Sequence, residues 1–157
     1  MRVLVVGGAG YIGAHVCEEL VNAGYDVRIY DDFSNGLHSR ITKFPDVVTA
    51  DVLDRESLVK AMAGVDSVIH LAAKKAVGES VDNPLKYYEN NFGGTLNILA
   101  AMKIAGVNKI VFSSTAAVYS PSEKPAITEE DSTIPLSPYG ATKLLSEQLI
   151  SNVSSAE

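Results

Sequence analysis

The sequence predicts an α/β fold: a parallel sheet of about five strands with helices on both faces. Three observations carry this. Short β-branched runs alternate with amphipathic stretches along all 157 residues. The runs are apolar throughout rather than at alternate positions. A glycine-rich turn joins the first run directly to the first amphipathic stretch. Strands apolar on both sides need cover on both faces, and crossover helices give a parallel sheet that cover. The order of elements is that of a doubly wound, Rossmann-like sheet.

Val3–Val6 is the first strand. Tyr11–Ala23 is helical, with Ile12, Val16 and Leu20 at i, i+4 and i+8 and Cys17 beside them, so this stripe is expected to face the sheet. Asn22-Ala23-Gly24 ends that helix. Val27–Tyr30 and Val47–Ala50 are the next strands. Ser57–Ala63 is a helix ending near Gly64, and Ser67–Leu71 is the fourth strand. Asn83-Pro84 opens a long helix through Ile104, stopped at Gly106. Lys109–Ser113 is the fifth strand. Ser137-Pro138 opens a last helix carrying Leu145 and Leu149, expected to fade into Ser151-Asn152-Val153-Ser154-Ser155-Ala156-Glu157. The longest irregular segment, Ser120–Leu136, holds Pro121, Pro125 and Pro135, and a loop of that length is more often functional or mobile than filler. Sheets of this type usually have about six strands, so five predict a sheet left incomplete where the chain stops.

The net charge is -6 and no dense basic run exists, which argues against nucleic acid and acidic membranes as partners. No apolar stretch reaches the roughly 20 residues of a membrane helix. The N-terminus is too short and glycine-interrupted for a signal peptide. The single cysteine excludes an internal disulfide and suits a reducing cytoplasm. His15, His38 and His70 have no metal-like spacing with Cys17 or with acids, so no metal is expected. His70 is expected in the core or along a cofactor wall, and Cys17 in packing.

Gly7-Gly8-Ala9-Gly10-Tyr11-Ile12-Gly13 follows a strand and opens a helix. Alone, this spacing would suit any tight turn. In that context it is a dinucleotide loop: Gly7 permits the turn, Gly10 lets a pyrophosphate approach, and Gly13 lets helix and strand pack. The helix N-terminus presents N–H groups to the phosphates. Asp31 stands 18 positions after Gly13, at the end of the second strand, where its carboxylate would accept the adenosine ribose hydroxyls and repel a 2′-phosphate. Asp32 adds to that repulsion, so the expected cofactor is NAD. Asp51, after the third strand, sits where a loop reaches the adenine.

Ser137-Pro138-Tyr139-Gly140-Ala141-Thr142-Lys143 supplies the chemistry. Tyr139 and Lys143, four apart, share a helix face. A free phenol is a poor base at neutral pH, and a fixed ammonium and a positive nicotinamide ring both favour its anion. Tyr139 would then take a proton from a substrate hydroxyl as hydride leaves the same carbon. Lys143 would also hold the nicotinamide ribose. Such a pair alone is common on helix surfaces. Joined to the glycine loop and to Ser113-Ser114-Thr115, it forms a constellation in which Thr115 hydrogen-bonds the reacting oxygen.

Together these residues resemble the extended short-chain dehydrogenase/reductase superfamily and, within it, the UDP-glucose 4-epimerases. The likeness runs over nearly the whole chain. It is carried by "RVLVVGGAGYIGAHV", "DDFSNG" at Asp31–Gly36, "AVGESVDNPLKYYENNFGGT" at Ala76–Thr95, "FSSTAAVY" at Phe112–Tyr119 and "SPYGATK". The resemblance implies roles by position. Tyr11 and Ile12 lie on the pyrophosphate loop. Asp31, Asp32, Phe33, Ser34, Asn35 and Gly36 hold the adenosine, and Asp51 and Val52 flank the adenine. Leu71, Ala72 and Ala73 line the cofactor, with Lys75 near the nicotinamide ribose and Asn91 in support. Thr115 contacts the sugar, Tyr139 is the base and Lys143 positions it. A UDP-sugar would be epimerised at C4 through a 4-keto sugar, with no net oxidation.

Relatives that dehydrate nucleotide sugars carry Asp-Glu after the threonine, where this chain has Ala116-Ala117. Ser120 replaces a usual glycine and should stiffen the start of the proline-rich loop. Ala73 replaces another. The family carries a second, C-terminal part that grips the uridine diphosphate, and this chain ends before it. Residues 1–157 are therefore expected to be the NAD-binding domain with the catalytic residues and no second domain, with little or no turnover alone. The family often dimerises, which implies a homodimer through the helices of Tyr87, Asn91 and Tyr139. Two rival readings stay open: a non-catalytic NAD-binding module, and another extended nucleotide-sugar oxidoreductase.

Overall fold

The computed structural model describes residues 1–121 and 126–156. Pro125 of the proline-rich loop lies outside the described residues. The chain forms two compact units, Met1–Ala73 with Gly94–Ser113, and Lys74–Gly93 with Ser114–Glu157.

The first unit is the sheet. Its strands are β1 (Arg2–Val6), β2 (Asp26–Asp31), β3 (Val47–Thr49), β4 (Ser67–His70) and β5 (Ile110–Phe112), all parallel in the order β3-β2-β1-β4-β5. The order reverses beside β1, as a doubly wound sheet requires. β1 has a neighbour on each side: Val5 pairs with Ile29 of β2 and with Ile69 of β4. Val3 to Val6 are all buried, which is why that run carries no polar residue. β5 is an edge, and its Val111 stays 62% exposed.

Helices α1 (Tyr11–Asn22), α2 (Arg55–Ala61) and α5 (Gly94–Ala105) belong to this unit. Asp54 caps α2 by accepting the Ser57 N–H at 3.0 Å. Gly24, Gly64 and Gly106 take positive φ after α1, α2 and α5, the left-handed stop that favours glycine. One core cluster joins Val3, Val5, Cys17, Val27, Ile29, Ile41 and Phe44. Arg28 fastens its rim. Its guanidinium pairs with Asp46 at 2.9 Å, before β3, and donates to the Ala61 carbonyl at the end of α2 at 2.8 Å.

The buried line of α1 differs from the expected one. Gly13 and Cys17 are buried, whereas Ile12 is 60% exposed. Gly13 is the cause. A Cβ there would meet Gly8 Cα at 2.7 Å, so the helix is seated on the turn at Gly13, and that contact sets its rotation.

The second unit holds α3 (Val77–Asp82), α4 (Pro84–Tyr87), a π-helical turn (Tyr88–Gly93), a 3₁₀ turn (Ala116–Val118) and α6 (Pro138–Ala156). α3 had no counterpart in the sequence reading. The helix expected from Pro84 through Ile104 is divided into α4, the π turn and α5. Tyr87 is fully buried and donates to Glu79 Oε2 of α3 at 2.7 Å, so it faces its own unit and not a partner. α6 does not fade at Ser151 but runs to Ala156. The Ser155 hydroxyl donates to the Ser151 carbonyl at 2.8 Å, so this polar stretch satisfies itself as helix.

Gly13→Ala should destabilise the chain by about 3 kcal/mol or more in denaturant unfolding, since backbone fills the space of the new methyl. Gly78→Ala, at a position with no atom within 4 Å of the added carbon, should stabilise it by about 0.4–1 kcal/mol.

Candidate active site

β1 delivers the chain to Gly7, whose φ of +87 turns it upward while its N–H donates to the Tyr30 carbonyl at 2.8 Å. A Cβ on Gly7 would lie 2.6 Å from Ala72 N. Gly7 and Gly13 are thus closed in by backbone. Gly10 differs: only the Gly7 carbonyl oxygen, at 3.3 Å, lies near its missing Cβ. Gly10 is also the N-cap of α1 and has no side chain to cap it. The first N–H groups of α1 are left for a ligand, beside an open glycine and the exposed Tyr11 and Ile12. This cradle fits a pyrophosphate.

Asp31 is buried beside it. Its Oδ2 accepts the Ala9 N–H and its Oδ1 the Phe33 N–H, both at 2.9 Å. The carboxylate therefore ties the 31–36 segment to the glycine turn, and Leu37 N–H adds a bond to the Ala9 carbonyl at 3.1 Å. Gly36 allows this approach, because a Cβ there would come 2.6 Å from Asp31 Oδ1. Phe33 takes a left-handed φ of 58 and stacks on His38 with centroids 3.7 Å apart. Asp32 accepts the Ser34 N–H at 2.9 Å, so its charge also shapes the turn, and Asn35 is exposed.

Asp51 Oδ1 caps its own turn through the Leu53 N–H at 2.8 Å, and its carbonyl takes the Tyr30 hydroxyl at 2.7 Å. Val52 points inward, where a Cβ on Gly94 would meet Val52 Cγ1 at 2.8 Å. Its side chain is core. Leu71 and Ala72 both donate to the Val6 carbonyl, at 2.8 and 3.0 Å. The 71–73 segment and the glycine turn thus share the carboxyl ends of β1 and β4, where the strand order reverses and such sheets bind ligands. His70, buried in this unit, sets Nε2 3.2 Å from the Thr95 hydroxyl. Cys17 is buried, which pushes its thiol up to about 12 and leaves it inert.

The second unit gathers Lys75, Asn91, Thr115, Tyr139 and Lys143. Asn91 lies in the π turn and is 2% exposed. Its Oδ1 accepts the Lys74 N–H at 2.8 Å and its Nδ2 donates to the Lys74 carbonyl at 2.9 Å, so one amide fixes the backbone leading into the exposed Lys75. The same Nδ2 donates to the Thr142 hydroxyl at 3.3 Å, and that hydroxyl donates to the Tyr139 carbonyl at 2.7 Å. Asn91 thereby connects the Lys74–Lys75 segment to the first turn of α6.

Ser137 caps α6 by accepting the Gly140 N–H at 3.1 Å. A Cβ on Gly140 would meet Pro135 Cβ at 2.9 Å and Ala117 C at 3.1 Å, so this glycine lets the turn that carries Tyr139 press on the 3₁₀ turn headed by Thr115. Thr115 Oγ1 accepts the Ala117 N–H at 3.1 Å, a bond that does not use the hydroxyl's own proton. Lys143 is 3% exposed. Burial lowers its ammonium to about 8, against a rise from the Glu147 carboxylate. Ser120 donates from both N–H and hydroxyl to the Ser132 carbonyl, at 3.0 and 3.2 Å.

Sequence reading gave no role to Gly140 or Thr142. Gly140 had a signal, since it breaks a helical first turn just after Ser-Pro. Thr142 had none, being one more small polar residue on a helix.

A family model described as "NAD dependent epimerase/dehydratase family" matches residues 3–157. The chain belongs to that family. The UDP-glucose 4-epimerase of Bacillus subtilis is 44% identical over 100% of this chain and 49% of its own length, and that of Azospirillum brasilense is 45% identical over 99% and 45%. Among solved structures, UDP-glucose-4-epimerase from Stenotrophomonas maltophila with bound NAD and formylated UDP-arabinopyranose superposes with a TM-score of 0.95 at 41% identity, over 99% of this chain and 49% of that one. The Bifidobacterium longum enzyme with NAD+ and UDP gives 0.92 at 41%, over 100% and 50%. The chain spans about half the length of the curated relatives it matches. Membership of the family accounts for the glycine turn and the five-stranded order. Among the described residues, no helix is long and apolar enough to cross a membrane, and no cluster of His, Cys, Asp and Glu could hold a metal.

Because the folded chain releases the Lys143 proton near 8 and the unfolded chain near 10.5, stability should rise as pH climbs through that window. Lys143→Met should stabilise the chain at pH 7 by about 3 kcal/mol, seen as a raised melting temperature, and the gain should fade towards pH 10.5. Melts of both proteins at pH 7 and pH 10.5 would check this.

Proposed function

We propose that this chain is the coenzyme-binding and reacting part of a UDP-glucose 4-epimerase. The observation that carries the proposal is the second unit's arrangement. Tyr139 and Lys143 stand one turn apart on α6, and Gly140 lets that turn meet the segment headed by Thr115. The epimerases named above supply the substrate class, and the cradle at Gly10 supports the cofactor.

When bound, NAD supplies a reversible hydride acceptor. The glycine turn and the start of α1 hold its pyrophosphate. Asp31, pinned by Ala9 and Phe33, accepts the ribose hydroxyls and selects against a 2′-phosphate. Lys75, Asn91 and Lys143 serve the nicotinamide side. Tyr139 would take the proton of the sugar 4-hydroxyl and later return it to the same oxygen. Lys143 stabilises the phenol's anionic form, and Thr115 donates to the reacting oxygen. Ala116 and Ala117 offer only methyl groups where a dehydratase needs an acid and a base, which favours epimerisation.

We place the grip on uridine diphosphate in the part of the relatives this chain does not cover. We also propose a homodimer. In the second unit, helices α3, α4 and α6 expose Val77, Val81, Leu85 (82% exposed) and Leu145, apolar residues of the kind that a second copy covers. Asn91 and Tyr87 are buried and not among them.

Calorimetry should show NAD binding, weakened at least tenfold by Asp31→Ala, and no binding of UDP. Incubation with UDP-galactose and NAD should yield no UDP-glucose at ordinary enzyme rates. Absent NAD binding would overturn the cofactor assignment, and rapid turnover would overturn the placement of the substrate grip. Leu85→Asp should convert a dimer to a monomer in sedimentation.

A further inference from the structure

Glu147 stands one helical turn beyond Lys143 and two beyond Tyr139 on α6, so the three share a face. It is half-buried and accepts a hydrogen bond from the Ser114 hydroxyl. Ser114 immediately precedes Thr115. One carboxylate therefore reaches both the reacting lysine's helix face and the segment presenting the reacting threonine. We propose that Glu147 is a positioning residue of the reacting pair: it is the counter-charge to the Lys143 ammonium and, through Ser114, the clamp that holds Thr115 in place. The proposal rests on the reading of Tyr139, Lys143 and Thr115 as the reacting group.

The charges around Lys143 within its unit support this. Tyr139 precedes it on α6 and Glu147 follows. Glu79 of α3 is committed to Lys86 and to the Tyr87 hydroxyl, and Glu89 of the π turn and Asp82 of α3 are exposed. The Asn91 amide binds the Lys74 backbone and the Thr142 hydroxyl. The 3₁₀ turn Ala116–Val118 carries no charge. Glu147 acts on Lys143 against burial. Burial disfavours the ammonium and the carboxylate favours it, so Glu147 helps to keep the field that favours an anionic phenol.

Two variants separate the roles. Glu147→Gln removes the charge but keeps an oxygen for Ser114, whereas Glu147→Leu removes both. The chain is labelled with ¹³Cε-lysine, and Lys143→Met identifies the Lys143 signal. Glu147→Gln should lower the Lys143 midpoint by about one pH unit, while the Ala117 amide, which bonds to Thr115, keeps its hydrogen-exchange rate. Glu147→Leu should lower the midpoint and speed Ala117 exchange at least fivefold. Ser114→Ala should speed the exchange with the midpoint unmoved, and it carries that arm if the leucine variant does not fold. An unmoved midpoint in Glu147→Gln, or unchanged Ala117 exchange in Ser114→Ala, would overturn the proposal. All measurements use the chain without cofactor, so a failure of NAD binding is a separate result.

Discussion

The close contact between Gly13 and the Gly7–Gly8 backbone is the constraint on which the first unit depends. No side chain fits between the opening of α1 and the turn that precedes it. The helix therefore sits as low on the sheet as backbone allows, and its rotation is fixed there. Cys17, one turn on, goes into the core, while Tyr11 and Ile12 go out. The same seating leaves Gly10 uncovered and the first N–H groups unspent. One steric fact thus makes both the packing of α1 and the opening beside it, and the two cannot be altered separately.

The second unit is organised by polar contacts that apolar packing alone would not produce. Asn91 and Thr142 are buried and bonded to backbone at the segments that carry Lys75 and Tyr139. A π turn places Asn91 there, and such turns commonly mark functional places in helices. Lys143 is a buried cation, which a purely structural helix would replace with an apolar residue at a gain in stability. On the proposed function, that cost is the requirement of the tyrosine carried by the same helix.

Membership of the epimerase/dehydratase family explains why so many elements of the first unit were legible. The five strands, the helix stops at Gly24, Gly64 and Gly106, and the roles of Gly7 and Gly13 follow from local rules: an apolar run, a left-handed stop, a turn between strand and helix. Asp31 was legible as an acid at a strand end. Its bonds to Ala9 and Phe33 were not, since they depend on Gly36 folding back over it.

The misses share one cause. Ile12 was assigned to the buried stripe because periodicity counts hydrophobicity and not the depth at which a helix is seated. The helix beyond Pro84 read as uninterrupted because a π turn leaves the residue pattern almost unchanged. The burial of Tyr87, on a helix expected at a subunit contact, was not foreseen because its partner, Glu79, lies on a helix the sequence did not announce. By itself the sequence determined which segments form strands and where the chain turns, because strand runs and glycine stops act over a few residues. Tertiary structure decided which faces are buried and which polar groups meet, because those depend on close approaches between residues far apart in the chain.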